Sequence, residues 1–186
     1  MSRPARPRPL RRPFFAALAV GALALALPSC HRGDTVETLP LTRPLASYRV
    51  VAVQVDPTGF VAPSSQQYVA ELQEHITGRL REAGLFTSVV GPTAASDLTL
   101  RASLLALHQD DALIGSGHAD VRLAVDLIDN RWQTLIGRFE VADNSRSKVP
   151  SFGGGININV SFDDRVSQAL ARAAKRIVSY LEDQKG

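Results

Sequence analysis

Four histidines, one cysteine and a scatter of aspartates are the side chains here that could carry chemistry. His108 and His118 flank a stretch holding Asp110 and Asp111, a donor set able to bind a divalent cation. Their spacing matches no ligand motif, and a solvated acidic loop is the simpler reading. His75 falls on the polar side of an amphipathic segment, one residue before Ile76. Gly115-Ser116-Gly117-His118 invites comparison with a nucleophile elbow or a phosphate loop. It lacks the Gly-x-Ser-x-Gly pattern and the lysine of a P-loop, and it precedes a strand where both of those motifs lead into a helix. A hairpin loop that needs positive φ explains these glycines better. Gly153 to Gly155 has no basic residue within it to hold an anion. Asp126 and Asp129 make no acid/base pair: Asp129 stands where a turn wants aspartate, and alternation puts Asp126 towards solvent. No catalytic, cofactor-binding or metal-binding residue is assigned, and the expectation is a protein that is not an enzyme.

The remaining reactive group is the thiol of Cys30, and its setting is specific. Arg3, Arg6, Arg8, Arg11 and Arg12 form a basic head, and Phe14 to Leu27 is almost wholly Ala, Leu, Val, Gly and Phe. A basic head, a short apolar core and a small residue at a cut site make a secretory signal over residues 1–29. The apolar run, about 14 residues, falls short of the roughly 20 needed to span a bilayer. Leu27-Pro28-Ser29-Cys30, with leucine three residues ahead of the cysteine and serine one ahead, resembles the bacterial lipobox. The resemblance implies that Cys30 is diacylated on sulfur, becomes the new N-terminus and is acylated there as well, with palmitate as a typical chain. The membrane is then a partner through this anchor. Aspartate after the cysteine would resemble an inner-membrane retention signal; His31 stands there instead, which points to the outer membrane and a periplasmic face. Leu10-Arg11-Arg12-Pro13-Phe14-Phe15 also resembles a twin-arginine signal, so the export route stays open.

Loss of the signal changes the charge argument. The whole chain has 21 Lys and Arg against 18 Asp and Glu, but five of those arginines leave with the signal, so 16 basic residues face 18 acidic ones. The pI near 9.4 belongs to the targeting segment. No cluster of Lys and Arg remains to neutralise a run of phosphates, so nucleic acid is not an expected partner. With Cys30 lipidated no disulfide is possible, and one domain must stand on its core.

The elements that would position any site follow from periodicity. Residues 30–47, with Gly33, Pro40 and Pro44, read as a lipidated tether, and residues 48–183 as a single domain. Arg49 to Val55 is a buried strand, stopped by Asp56-Pro57-Thr58-Gly59. Ser64 to Ala83 is a helix with a capping box from Ser64 to Gln67, an apolar face of Val69, Leu72, Ile76, Leu80 and Ala83, and Gly84 as its stop. Gly78 inside it either permits close packing or is simply tolerated. Leu85 to Val90 is a short strand, and Leu98 to Leu107 alternates. Val121, Leu123, Val125 and Leu127 against Arg122, Ala124 and Asp126 is the cleanest period-two pattern in the chain. After an Asp129-Asn130 turn, Thr134 to Val141 places Leu135, Phe139 and Val141 on one face of an antiparallel partner strand. Ser145 to Gly155 is a polar loop, Ile156 to Val160 a short edge strand, and Ser161 the cap of a final helix faced by Val166, Leu170, Ala173, Ile177 and Leu181. The expected fold is α+β: a mainly antiparallel sheet with two helices packed on one face, in strand-helix-strands-helix order. Trp132, at a turn, is either a contact residue or a rim residue covering the core. Phe152, in the polar loop, is a second candidate for partner contact.

Ala119 to Asp129 followed by Leu135 to Val141 is similar to the paired strands of the auxiliary lipoproteins of ABC-type transport systems and of related lipoprotein domains of unknown function. Ala95-Ser96-Asp97-Leu98 and the Ala-rich helix from Ala169 to Ala174 fit the same pattern. The resemblance implies a non-enzymatic accessory component of an envelope transport system with an envelope protein as partner, and it transfers no site residues. A regulator of cell-wall synthesis or a secretion-assembly lipoprotein is an alternative of the same class. A small envelope hydrolase using the 108–118 loop is an alternative of another.

Overall fold

A computed structural model describes residues 35–59, 66–109, 118–146 and 162–185. All of them fall within one unit, His31–Gly186. The elements run β1 (Thr35–Leu39), β2 (Val50–Asp56), α1 (Gln66–Ala83), β3 (Ser88–Val90), β4 (Leu98–Gln109), β5 (His118–Asp129), β6 (Thr134–Arg146) and α2 (Phe162–Lys185). The fold is α+β. The six described strands form one sheet in the order β1-β6-β5-β4-β2-β3. Pairings β1–β6, β6–β5 and β5–β4 are antiparallel, whereas β2 runs parallel to both β3 and β4, so the sheet is mixed. The parallel pairs arise because α1 carries the chain from the end of β2 back to its start.

Both helices cover one face. Val51, Val53 and Val55 of β2, Leu98, Leu100 and Ala102 of β4, and Val121, Leu123, Val125 and Leu127 of β5 are buried with Leu72, Ile76 and Leu80 of α1 and Leu170, Ile177 and Leu181 of α2. The period-two pattern of β5 therefore marks the core as expected. Leu104, Leu123 and Val141 form one row across β4, β5 and β6.

Several expectations are corrected. Within the segment expected as tether, Thr35–Leu39 adds an antiparallel edge strand to β6 and Leu45 is buried in the core. The strand is hard to see in sequence since its side chains are mostly exposed, as an edge permits. Between Leu127 and Ile128 the β5–β6 register shifts, so Ile136 turns inward and Leu135 outward, the reverse of the simple alternation. On α1, Tyr68 takes the buried place expected of Val69, which is only partly covered. The strand expected from Leu85 begins at Ser88, with Leu85 and Phe86 buried as plugs before it. β6 continues through Ser145 and Arg146, residues assigned by sequence to the loop. The Ser64 and Ser161 caps and the 156–160 strand lie outside the described residues.

Three glycines have distinct reasons. Gly84 ends α1 at φ +61° and donates its N–H to the Arg81 carbonyl. At Gly59 a Cβ would stand 2.3 Å from the Leu104 carbonyl oxygen, so the turn after β2 packs backbone to backbone on β4. Gly78 has nothing within 4 Å of an added Cβ, which decides between its two readings: it is tolerated, not required. Gly78→Ala should therefore raise stability by about 0.5–1 kcal/mol, seen as a higher melting temperature. A fall would reveal a close contact at that face.

Candidate functional site: a rigid turn presenting Trp132

β5 and β6 are joined by residues 130–133, and the sequence locks this turn from beneath. Asp129 is 1% exposed. One carboxylate oxygen accepts the Arg131 N–H at 2.9 Å; the other accepts the Tyr48 hydroxyl at 2.9 Å and Arg43 Nη1 at 2.6 Å. Burial alone would raise the Asp129 carboxyl, but the Tyr48 hydroxyl, the turn N–H groups and the Arg43 charge hold it below the ordinary carboxylate value. Asn130 donates from Nδ2 to the Ser96 hydroxyl oxygen at 2.7 Å and accepts from the Thr99 hydroxyl at 3.0 Å. Its N–H reaches the Asp97 carbonyl at 2.9 Å. Gln133 adopts φ +52° and bonds back to the Asn130 carbonyl, closing the turn. On this fixed frame Trp132 is 66% exposed. An aromatic held out in solvent by a preorganised turn loses little freedom when it binds. At that exposure Trp132 covers little of the core.

The other sequence candidates fall elsewhere. Phe152 and Cys30 lie outside the described residues, as do residues 110–117. β6 leaves the sheet at Arg146 and α2 starts at Phe162, at the end of the sheet opposite the Trp132 turn. The backbone of His108 pairs with Asp120 and that of His118 with Arg146. Among the described residues no group of three His, Cys, Asp or Glu stands close enough to hold a metal ion. His75 lies half-buried on α1, with Nε2 3.4 Å from Glu71, whose carboxylate also accepts a hydrogen bond from Ser167 of α2.

Asp126 is corrected. It does sit on the helix-free face, but it is only 6% exposed. In register it lies directly between Arg101 and Arg138, and both guanidiniums fold over it, Arg101 Nη2 and Arg138 Nη2 each at 3.0 Å. Burial would raise its carboxyl, but the hydrogen bonds and charges of Arg138 and Arg101 prevail and hold it low. Asp126 and Asp129 thus serve as structural acceptors, Asp126 held by Arg101 and Arg138 and Asp129 by Arg43. Asp143, also buried, accepts from Arg172 at 2.8 Å and Arg176 at 3.3 Å, tying β6 to α2. Sequence reading missed this tie; its signal was an aspartate in the inward series Phe139, Val141, Asp143.

A pH dependence follows from these carboxylates. Asp56, Asp97, Asp126 and Asp129 are all lowered from 3.8, so each binds protons more readily when unfolded. Their contribution is fully present above the unfolded value and is lost as pH falls through the folded ones. Stability should be flat from about pH 5 to 7 and drop below about pH 4. Asp126→Asn should flatten part of that drop in acid denaturation curves; an unchanged acid limb would contradict the Arg101–Asp126–Arg138 account.

No family model and no curated protein matches this chain. Solved structures share its fold. A PelC dodecamer from Paraburkholderia phytofirmans aligns at TM-score 0.55 and 14% identity, over 80% of this chain and 96% of that one. A single-residue variant of the same protein aligns at TM-score 0.53 and 13% identity, with the same coverage. A minor lipoprotein from Acinetobacter baumannii aligns at TM-score 0.45 and 10% identity, over 77% of this chain and 94% of that one. The likeness to PelC is one of fold.

Proposed function

We propose that the mature chain is a lipid-anchored protein of the outer membrane, facing the periplasm, that works without catalysis as an accessory component of an envelope transport system. The observation that carries the reading is the pairing of a lipobox-like Cys30 with an exposed Trp132 on a locked turn. β1 enters the sheet with Thr35 opposite Val141, near the middle of β6, whereas the Trp132 turn precedes Thr134 at one end of that strand. Seven residues of strand at about 3.4 Å each put the turn roughly 24 Å from where the chain enters. Among the described residues no helix is long and apolar enough to cross a membrane.

The transport role rests on the sequence resemblance of residues 119–141 to auxiliary lipoproteins of ABC-type systems. Trp132→Ala should leave the unfolding free energy within about 0.5 kcal/mol of wild type, as expected of a surface change. It should weaken capture of the transport partner from detergent-solubilised membranes at least tenfold, the scale of an aromatic hot spot. Unchanged capture would move the contact off this turn.

A further inference from the structure

The segment between β1 and β2 meets β6 at successive positions and ends beneath the Trp132 turn. At the close of β1, Thr38 donates its hydroxyl to the Arg138 carbonyl at 3.1 Å. Leu41 packs over Gly137, where an added Cβ would stand 2.7 Å from Leu41 Cδ2. Thr42 gives the Ile136 carbonyl both its N–H, at 2.8 Å, and its hydroxyl, at 3.2 Å. Leu45 then enters the core within a single 3₁₀ turn, Leu45–Ser47. Arg43 and Tyr48, which flank that turn, reach the same Asp129 oxygen. The other Asp129 oxygen accepts the N–H of Arg131, the residue before Trp132. Residues 41–48 therefore act on the tryptophan through one buried carboxylate.

Gly137 is the seat of this segment. A glycine inside a strand packs poorly and loses the most freedom on folding. Its backbone does not call for glycine, since Gly84 alone among the described glycines has positive φ. What calls for it is the room taken by Leu41. We propose that residues 41–48 are a positioning strap for Trp132. Seated on Gly137, the strap holds Asp129 under the turn and keeps Trp132 in its binding geometry. Lifted, it frees the turn and weakens the partner's grip. This rests on the reading of Trp132 as the contact residue. A contact group on a fixed support loses less freedom when it binds, so the strap adds affinity without touching the partner. By the same linkage, a partner on Trp132 favours the seated strap.

Trp132 is the only tryptophan of the chain, so its fluorescence reports the turn without a label. Time-resolved anisotropy is compared between the wild-type protein, Gly137→Val, which fills the seat of Leu41, and Arg43→Gln, which removes one partner of Asp129 at a half-exposed position. Each variant should raise the amplitude of the fast nanosecond decay about twofold while the fold persists. Adding Leu41→Ala to Gly137→Val should bring the decay back towards wild type, because the shortened side chain clears the seat. Leu123→Ala, away from the strap, should leave the decay as it is in wild type. An unchanged decay in Arg43→Gln overturns the strap, and that variant decides alone if Gly137→Val does not fold. Equal loosening by Leu123→Ala overturns it too, as a general loss of stability. Capture of the transport partner from detergent-solubilised membranes should fall about fivefold in Arg43→Gln. A looser Trp132 with undiminished capture, where Trp132→Ala does weaken capture, overturns the strap's bearing on binding. If Trp132→Ala leaves capture unchanged, the contact reading falls and takes that bearing with it, and the anisotropy still decides whether the strap positions the turn.

Discussion

Cys30→Ser should abolish lipid attachment completely, because the thioether needs sulfur and serine offers a far weaker nucleophile than a thiolate. In cells given a fatty-acid probe, the wild-type protein should carry label and the variant none. The variant should also keep its signal segment and run larger on a gel, since the lipoprotein pathway acts on the modified cysteine. This is the largest effect the sequence implies, an all-or-none change from one atom. Equal labelling of both proteins would remove the anchor, and with it the argument for where the domain stands.

Leu123→Ala should have the largest effect on the fold. Leu123 is fully buried at the centre of the sheet, with Leu104 on one side and Val141 on the other, on a strand covered by α2. Truncating it removes apolar contacts and leaves a cavity that close-packed neighbours fill only in part, at about 2–5 kcal/mol. Arg122, its chain neighbour, points to the helix-free face, has a side chain 60% exposed and meets Glu140 at 3.5 Å. Arg122→Ala should stay within about 0.5 kcal/mol of wild type. Similar melting shifts for the two would mean that the face assignment of β5 is wrong.

What could be read in the sequence was local pattern. The alternation of Val121 to Leu127 and the three- and four-residue steps of α2 each mark a buried face, because burial on one side imposes a period. Gly84 after α1 and Asp129 in its turn were readable because their backbone roles favour those residue types. What escaped depended on partners distant in sequence. β1 is an edge strand with mostly exposed side chains, so Thr35 to Leu39 has no strong period and reads as tether. Ile136 replaces Leu135 in the core through a register shift that alternation alone cannot foresee. The parallel pairing of β2 with β4 depends on where α1 returns the chain. Asp126 looked solvent-facing because its position is outward; only the register shows Arg101 and Arg138 flanking it on both neighbouring strands. For the candidate site, Trp132 was visible as an aromatic at a turn. The lock beneath it joins Arg43 and Tyr48 from before β2 and Ser96 and Asp97 from before β4, and no single stretch of sequence displays that.

The central claim is that this anchored domain binds an envelope protein through its Trp132 turn. The most direct measurement is photocrosslinking in living cells from a photoreactive amino acid placed at position 132, compared with the same residue at Glu74 on the exposed part of α1. The account predicts one discrete adduct from position 132, containing a component of an envelope transport system by mass spectrometry, and none of that species from position 74. No adduct from position 132, or the same adducts from both positions, would contradict it.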